Sequence, residues 1–323
     1  MPKKKSKVAS RGLFWTDQHA QDGSVSLRSD DFFSSVMEKM EELFQIAVDE
    51  KVDYVLHGGD LYHKPDPKGT VRNPMLSFLL REDWPFKILT VVGNHDLRGH
   101  SLKTIDQLGI YTLFAAGAIE IADEFPDFGI FCGHYRHNIE EMKFESTMPI
   151  WAMHSFILPQ PAIFDHVTAD DFETTAKLVL CGHYHPGYET VTRADGVMFA
   201  NPGSFGRPTI KDAKHDVKAL LVELDGDDVQ LTDKFITCAK PAVDIFGEDA
   251  LEENVEDTPL VEIDTEQFMT NVREARAQMA DGKMDSMDLI KVAAKELKPG
   301  KDVIKTTVEY IENARKKNAL ADD

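Results

Sequence analysis

The chain is poor in cysteine and has no long apolar run. Its 323 residues include three cysteines, Cys132, Cys181 and Cys238, which are widely spaced and form no Cys-x-x-Cys pair. This spacing excludes a cysteine-rich metal site and gives no disulfide framework, so we expect reduced thiols and a cytoplasmic protein. No apolar run approaches the roughly 20 residues that span a bilayer, and no signal peptide opens the chain, so we expect no membrane association.

Basic residues are also scarce. The 36 lysines and arginines are outnumbered by 56 aspartates and glutamates, which gives a net charge of −20. Such a surface repels phosphate backbones at long range and argues against an extended nucleic-acid-binding face. It leaves room for chemistry on phosphate where divalent cations reverse the local field. The first residues are an exception, and we interpret residues 1–11 as a basic tail, which is more typical of a solvated segment than of a nucleic-acid-binding arm.

Polar residues are concentrated at the ends of five apolar runs. These clusters are Asp17-Gln18-His19, Gly58-Gly59-Asp60, Gly93-Asn94-His95-Asp96, His154 and Gly182-His183-Tyr184-His185. The first three follow predicted strands at 12–15, 54–56 and 88–92, and apolar spacing predicts a helix from 31 to 50 between the first two. The carboxyl ends of such strands share one edge of a sheet, where open α/β folds place their sites.

The clusters provide a mixed set of oxygen and nitrogen donors without cysteine. The candidate donors are Asp17, His19, Asp60, Asn94, His154, His183 and His185. Divalent first-row metals accept carboxylate, imidazole and amide oxygen together. Seven donors suffice for two ions, and a shared carboxylate would hold them about 3.5–4 Å apart. The sequence therefore predicts a binuclear metal centre.

Taken singly, several of these residues have ordinary structural explanations. Asp17, Asp60 and Asn94 are of types common in turns and helix caps. His154 ends a strand-like run, where a packed core histidine is equally ordinary. Their shared position at strand ends favours the metal centre. The histidines outside the clusters, which we interpret as structural or surface residues, are His57, His134, His137, His166 and His215.

The ordered series Asp-x-His, Gly-Asp, Gly-Asn-His-Asp, His and Gly-His-x-His over residues 12–185 resembles the calcineurin-like metallophosphoesterase family. The resemblance implies an α/β fold, a four-layer α-β-β-α sandwich of two packed mixed sheets over residues 12–240. By this resemblance the first ion is held by Asp17, His19 and His185, the second by Asn94, His154 and His183, and Asp60 bridges them. It also implies that His95 is the general acid and that Asp96 orients it.

The activity implied is hydrolysis of a phosphoester. We expect a hydroxide between the two ions to attack phosphorus in line while His95, as imidazolium, protonates the departing oxygen. The residues Gly59-Asp60-Leu61-Tyr62-His63 resemble a segment of the SbcD branch, nucleases of double-strand-break repair and recombination, in which the histidine serves exonuclease action. A loop histidine without a role is the alternative for His63. The run Asn201-Pro202-Gly203-Ser204 lies at a similar spacing to that of SbcD-type nucleases.

Our interpretation is a DNA exo/endonuclease with two divalent ions, manganese before iron, zinc or magnesium. Basic residues in predicted loops would hold a strand's phosphates, although solvated loop charges explain them equally well; these are Lys64, Lys68, Arg72, Arg98, Lys103, Arg207, Lys211 and Lys214. The runner-up is a phosphodiesterase or phosphatase for a cyclic nucleotide or another small ester, which the acidic surface favours. A non-catalytic binding scaffold is the remote alternative, because no ligand is missing.

The second half of the chain contains closely spaced strand patterns. They are predicted at 119–122, 129–132, 150–153, 178–181, 197–200, 219–224 and 229–235, with a hairpin turn at Asp225-Gly226. We expect these strands to form a second, more antiparallel sheet. Proline and glycine predict a loop over 64–73, and a further helix is predicted near 102–108.

The residues after the core differ in composition. An acidic linker is predicted at 241–260 and a helical region at 261–323. These helices either cover an edge of the core or dock a partner. The resemblance implies an SbcC-like ABC-type coiled-coil ATPase as that partner, although the segment is too short for the full capping domain of the family. The sequence leaves homodimerisation open.

Overall fold

The computed structural model describes residues 8–253, apart from 24, 26, 82–83, 137–143, 163 and 227. One compact unit comprises Met1–Gln160 and Asp165–Val255, and a second comprises Pro161–Phe164 and Glu256–Asp323. The elements described below all belong to the first unit. The predicted helical region at 261–323 and most of the predicted tail at 1–11 lie outside the described residues.

Short strands outnumber helices in the described part of the chain. The strands are β1 (Ala9–Trp15), β2 (Tyr54–His57), β3 (Lys87–Thr90), β4 (Glu124–Phe125), β5 (Ile130–Gly133), β6 (Ile150–His154), β7 (Ile157–Leu158), β8 (Val167–Thr168), β9 (Leu178–Gly182), β10 (Tyr188–Thr192), β11 (Met198–Asn201), β12 (Lys218–Asp225) and β13 (Asp228–Phe235). The α-helices are α1 (Phe32–Asp49), α2 (Gly69–Leu79), α3 (Gly109–Ala115), α4 (Ala242–Phe246) and α5 (Glu248–Glu253). None of the described helices is long and apolar enough to cross a membrane.

Two mixed sheets form the frame. The first has five strands in the order β13-β12-β1-β2-β3, and the second has six in the order β10-β11-β9-β6-β5-β4. In the first sheet β1, β2 and β3 are parallel, while β12 and β13 form an antiparallel hairpin beside β1. Strands β7 and β8 form a separate two-stranded sheet.

The sheets pack face to face over an apolar core. Phe14, Leu56 and Leu89 from the first sheet and Ala152 and Leu180 from the second belong to one buried cluster. The other face of the first sheet packs against the helices. The outer face of the second sheet has its own cluster, which no described helix joins. The two packed mixed sheets are confirmed, but in the described residues the fourth layer consists of loops and short strands.

Helix α1 forms where the apolar spacing predicts it. The side chain of Asp31 accepts a hydrogen bond from the Ser34 amide at 2.7 Å and so caps the first turn. Val36, Met40 and Leu43 lie on the face that packs against the first sheet and are fully buried. This helix therefore covers the strands whose ends carry the polar clusters.

The predicted loop at 64–73 is wrong in its second half. Helix α2 begins at Gly69 and contains Pro74. Pro74 is the sixth helical residue, beyond the first four amides that lack intrahelical partners, so the helix continues past it with one backbone hydrogen bond missing. The helix predicted near 102–108 is a 3₁₀ helix, Leu102–Gln107, which leads directly into α3.

The second sheet is more parallel than the strand spacing predicts. Strands β5, β6, β9 and β11 are parallel neighbours, and only the edges pair antiparallel. The predicted hairpin at 219–235 exists but joins the first sheet. No strand forms at 119–122, where Glu120 makes one isolated bridge to Leu89. Spacing along the chain does not determine which sheet a strand joins.

Both ends of the predicted core domain extend further than predicted. Strand β1 begins at Ala9, and Arg11 of the predicted tail pairs with Glu50 at 2.6 Å. The predicted acidic linker at 241–260 begins with α4 and α5 rather than with exposed chain. Ile245 and Phe246 of α4 are buried, so their apolar side chains attach this segment to the core.

Candidate metal centre

The five polar clusters meet at one edge of the two sheets. Asp17, Asp60 and Asn94 follow β1, β2 and β3 of the first sheet, while His154 and His183 follow or end β6 and β9 of the second. His154 pairs in register with Gly182, which fixes the two histidine clusters side by side. The parallel arrangement of the strands thus brings residues from across the chain to a single place.

The first donor group is formed by Asp17, His19 and His185. Their candidate ligand atoms all lie within 4.8 Å of one another. The Nε2 atoms of His19 and His185 are 2.9 Å apart, and Asp17 Oδ1 lies 3.7 Å from His185 Nε2. Asp17 and His19 are almost completely buried.

The second group is formed by Asp60, His154 and His183, again within 4.8 Å. Asp60 Oδ2 is 3.4 Å from His154 Nε2 and 3.6 Å from His19 Nε2, so this carboxylate lies between the two groups. Asn94 Oδ1 is 3.0 Å from His154 Nε2. The structure therefore brings together all seven donors, with Asp60 in the bridging position.

The backbone at these donors adopts conformations that non-glycine residues rarely occupy. Asp17, His19, Asp60 and His183 have φ values of 53°, 50°, 58° and 77°. Such residues cost of order 1–3 kcal/mol each and persist where the surroundings over-determine them. Here the amide of His19 donates to the Asp60 carbonyl at 2.9 Å, and that of His183 donates to Asp17 Oδ2 at 2.9 Å. The donors hold one another in place.

Glycine is required where the clusters touch. A Cβ atom at Gly93 would lie 2.2 Å from Asp60 Oδ1, and one at Gly59 would lie 2.2 Å from His154 Nδ1. Gly59 also has φ +106°. The glycines of these two clusters thus allow the backbone to approach the donor side chains.

The polar atoms around His154 indicate a cation site. Its Nδ1 lies 2.8 Å from the Gly58 carbonyl, which can only accept, so Nδ1 carries the proton. Its Nε2 then faces two oxygens, Asn94 Oδ1 and Asp60 Oδ2. Asp17 Oδ1 is buried without a hydrogen-bond partner in the described residues. A positive charge between these atoms would satisfy all of them, so the residues fit a divalent metal site.

Comparison with known proteins agrees with this geometry. The model of the calcineurin-like phosphoesterase superfamily domain matches residues 16–227. The chain belongs to the calcineurin-like phosphoesterase superfamily. The crystal structure of TT1561 of Thermus thermophilus is similar with 11% identity and a TM-score of 0.40, covering 70% of this chain and 99% of that one. The assignment rests on the family match and on the donor clusters, which make this a metal-dependent phosphoesterase.

The carboxylates and imidazoles at the phosphoesterase site shift one another's pKa values. Burial alone would raise the pKa of Asp60, but the imidazoles of His154 and His19 hold it well below its usual range. Burial opposes the charge on His154, yet Asp60 and Asp17 raise its pKa to about 9. Burial lowers the pKa of His183 to about 3, which leaves its lone pair free for a metal.

His95 lies beside the donors and does not belong to the seven. Its ring is 4.7 Å from that of His19 and 5.1 Å from that of His63, centroid to centroid. His95 Nδ1 lies 2.9 Å from the His63 carbonyl, which must accept the Nδ1 proton. His63 therefore orients His95 through its backbone while its half-buried ring borders the same site.

Asp96 has a different role from the one predicted. Its carboxylate accepts four backbone amides, from Asp60, Leu61, Tyr62 and Gly93, at 3.0–3.3 Å. No described hydrogen bond joins it to the His95 ring, which the His63 carbonyl orients instead. Asp96 is buried and shapes the backbone that presents Asp60. The hydrogen bonds of Asp96 thus support the backbone around Asp60.

Sequence reasoning gave too little weight to the Asn201–Ser204 run and missed Asp212. Ser204 Oγ donates to the Asp17 carbonyl at 2.9 Å, and the amide of Gly206 donates to the same carbonyl at 3.1 Å. Asp212 Oδ1 lies 3.4 Å from His185 Nδ1. The turn signal of the run marked the first of these contacts. The Thr209-x-x-Asp212 pattern predicts the start of a short helix but not a contact with His185.

The predicted basic rim is weaker than expected. Arg98 pairs with Asp66 at 2.5 Å and Lys68 with Asp22 at 3.1 Å. Arg207 is buried and donates to the Lys240 carbonyl at 2.5 Å, so it does not border the site as a free cation. These interactions reduce the positive charge available to a nucleic-acid backbone.

Three of the histidines outside the clusters, His57, His134 and His215, make structural contacts in the described part of the chain. His57 is fully buried against Trp15, with ring centroids 5.0 Å apart. His134 is buried, and its Nδ1 accepts a hydrogen bond from the Val92 amide at 3.1 Å. His215 Nε2 lies 3.0 Å from the Ser204 carbonyl. His137 lies outside the described residues.

Proposed function

We propose that this phosphoesterase is a DNA nuclease of the SbcD type that uses two divalent ions, manganese foremost. The observation that carries the proposal is His63. It lies in the Gly59–His63 segment that resembles the SbcD branch, and it stands 5.1 Å from the His95 ring and 5.6 Å from the His19 ring. This position beside the proposed general acid and a metal donor favours a function for His63 over the alternative of a loop histidine without a role.

The seven donors would hold two ions. Asp17, His19 and His185 would hold the first ion. Asn94, His154 and His183 would hold the second, and Asp60 would be shared between them. When bound, such a pair supplies a nucleophile at neutral pH and neutralises charge on the phosphoryl oxygens. The imidazole nitrogens that face the ions are unprotonated in the working enzyme.

His95 is positioned to act on the leaving group. Because its Nδ1 proton is held by the His63 carbonyl at 2.9 Å, only Nε2 remains for the substrate. As imidazolium, His95 donates the Nε2 proton to the departing oxygen. General acid catalysis of this kind contributes about 10²–10⁴ in rate. In this proposal the His63 ring, which borders the same site as the His95 ring, contacts the DNA strand next to the scissile phosphate.

A small-ester phosphodiesterase remains the second candidate because of charge. The net charge is −20, and Arg98 and Lys68 of the predicted basic rim are paired with Asp66 and Asp22. A cyclic nucleotide or another small ester needs no extended basic surface. His63 favours DNA, whereas the surface charge favours the small ester.

The substrate is tested by comparing esters with one protein. Wild type with Mn²⁺ is given single- and double-stranded DNA, cyclic AMP and bis(p-nitrophenyl) phosphate, with Asp60→Asn as the blank. We expect cleavage of DNA. We also expect His63→Asn to lose DNA cleavage while it retains hydrolysis of the aryl ester. Activity on small esters alone, or a His63→Asn variant that cuts DNA normally, would defeat the nuclease proposal.

Location and partners are further proposals from the sequence. Three free cysteines, two of them buried, support a cytoplasmic enzyme. An SbcC-like ABC-type coiled-coil ATPase is the proposed partner, through residues 261–323. Co-purification of the full chain with such an ATPase, and its loss when 261–323 are removed, would support this; retention by the truncated chain would contradict it.

A further inference from the structure

Asp212 is a buried carboxylate beside one metal donor. It lies in the 3₁₀ helix Ile210–Lys214 and is 1% exposed. Its Oδ1 is 3.4 Å from Nδ1 of His185. A buried carboxylate is costly unless it is paired or hydrogen-bonded, so its surroundings indicate its role.

The other carboxylate oxygen of Asp212, Oδ2, accepts two hydrogen bonds. Oδ2 accepts hydrogen bonds from the Thr209 amide and from Thr209 Oγ1, both at 2.9 Å. Thr209 and Asp212 together form the capping box that starts this short helix. The rotation of the carboxylate is thereby fixed, and Oδ1 is the oxygen that faces His185.

The opposite nitrogen of His185 faces the first donor group. Its Nε2 lies 2.9 Å from His19 Nε2 and 3.7 Å from Asp17 Oδ1. The carbonyl of His185 accepts the Ser204 amide at 2.8 Å, so the backbone is anchored as well. The imidazole therefore lies between a carboxylate on its Nδ1 side and the metal donors on its Nε2 side.

We propose that Asp212 is a positioning residue that holds the His185 proton on Nδ1 and so keeps the Nε2 lone pair directed at the first ion. The proposal rests on the metal centre of the proposed function and is independent of the substrate. A carboxylate that accepts from a ligating histidine sets its tautomer and increases its basicity, and loss of such a partner costs about 10–100-fold in metal affinity. A cation on Nε2 would make the Nδ1 proton more acidic and so strengthen its interaction with the Asp212 carboxylate.

Asparagine at position 212 is the informative change. The Thr209 amide requires an acceptor at the Oδ2 position. The asparagine carbonyl will take that place and turn its NH₂ group toward His185 Nδ1. A donor there favours the tautomer protonated at Nε2, which cannot bind a metal. Asp212→Asn therefore disfavours the first ion while the fold is retained.

Two matched variants separate this role from simple packing. Asp216→Asn removes a carboxylate from an exposed position in the same stretch. Thr209→Val removes the hydroxyl of the capping box but keeps the backbone amide that donates to Asp212 Oδ2 at 2.9 Å, and this amide suffices to keep Oδ1 facing His185. We expect Thr209→Val to lower unfolding stability without changing the affinity for the first ion, and Asp216→Asn to change neither.

The test is calorimetric titration of Mn²⁺ into the metal-free full chain, together with ¹⁵N NMR of the His185 ring. We expect Asp212→Asn to weaken one of the two Mn²⁺ binding events about 10–100-fold and to move the ring proton from Nδ1 to Nε2. Affinity equal to that of Asp216→Asn, or a ring proton still on Nδ1, would overturn the proposal. Neither readout involves a phosphoester, so a failure of the nuclease proposal leaves this result interpretable.

Discussion

The backbone amide of His95 donates a hydrogen bond to Asp60 Oδ1 at 2.8 Å. The residue expected to protonate the leaving group is thereby attached to the carboxylate expected to bridge the ions. The remaining oxygen, Asp60 Oδ2, faces His154 and His19. The Asp60 carboxylate therefore fixes the position of His95 relative to both donor groups. A displacement of Asp60 would move His95 as well.

Removal of the His95 ring is predicted to stop turnover and leave metal binding intact. Asn has no group that can protonate a leaving oxygen, and the backbone bond to Asp60 remains. His95→Asn is expected to lower kcat by about 10²–10⁴. The measurement is phosphodiester hydrolysis with Mn²⁺, alongside calorimetric Mn²⁺ titration. His100→Asn, at an exposed position nearby, serves as the control and should behave as wild type; full activity in His95→Asn would remove His95 from the mechanism.

A methyl group at Gly93 is predicted to damage the metal centre. The added Cβ would lie 2.2 Å from both the Asp60 amide nitrogen and Asp60 Oδ1. No real Cβ tolerates such contacts, so Asp60 must move. Gly93→Ala is therefore expected to weaken Mn²⁺ binding at least tenfold and to lower the unfolding temperature.

Gly69→Ala is the matched comparison. Its Cβ would meet only Asn73 Nδ2, at 3.6 Å, which is ordinary contact. This variant should bind Mn²⁺ like wild type. Normal Mn²⁺ affinity in Gly93→Ala would show that Asp60 is not held where the structure has it.

Metal removal is predicted to destabilise the protein. Asp17, His19, Asp60 and His183 have positive φ, and the ions would bind the folded but not the unfolded arrangement. At a free ion concentration of 100 Kd, one site adds about 2.7 kcal/mol to the free energy of unfolding. Urea unfolding in EDTA and in Mn²⁺ measures the difference. Asp60→Asn should lose most of this gain and exposed Asp127→Asn should keep it; equal gains would rule out Asp60 as a ligand.

His134 is predicted to make the metal-free fold sensitive to acid. Burial lowers the pKa of His134 to about 4, and its Nδ1 accepts the Val92 amide. The pKa of His134 is 6.5 in the unfolded chain. Between pH 6.5 and pH 4, His134 therefore binds a proton in the unfolded chain but not in the folded one. Stability therefore falls as pH falls through this window, by about 3 kcal/mol from this residue.

The check is urea unfolding in EDTA at pH 7.5 and 5 for wild type and His134→Gln, which keeps an acceptor for Val92. The variant should lose less stability on acidification than wild type does. His100→Asn should follow the wild-type profile because its ring is exposed. Identical slopes for wild type and His134→Gln would contradict the assignment.

The donor set could be predicted because its members are marked locally. Each of the five clusters ends or follows an apolar run, and three of the five begin with glycine, so the pattern indicates a strand end and, at those three, a close approach of the backbone. The fold could be predicted from the sequence less completely than the donor set. The hairpin at 219–235 was predicted, but its membership in the first sheet depends on pairing with β1, more than 200 residues earlier in the chain. Local spacing contains no information on such a distant pairing.

By itself, the sequence determined that oxygen and nitrogen donors in five ordered clusters make a metal centre, because ligand type and strand-end position are local properties. The phosphoesterase activity followed from the resemblance of the ordered series to a known family. Only the tertiary structure decided how those donors are supported. Asp96 holds four amides around Asp60, and Ser204 fixes the Asp17 carbonyl. Asp212 contacts His185 from a segment whose local pattern predicts only a helix start. Such contacts join residues far apart in the chain, so no periodicity or spacing records them.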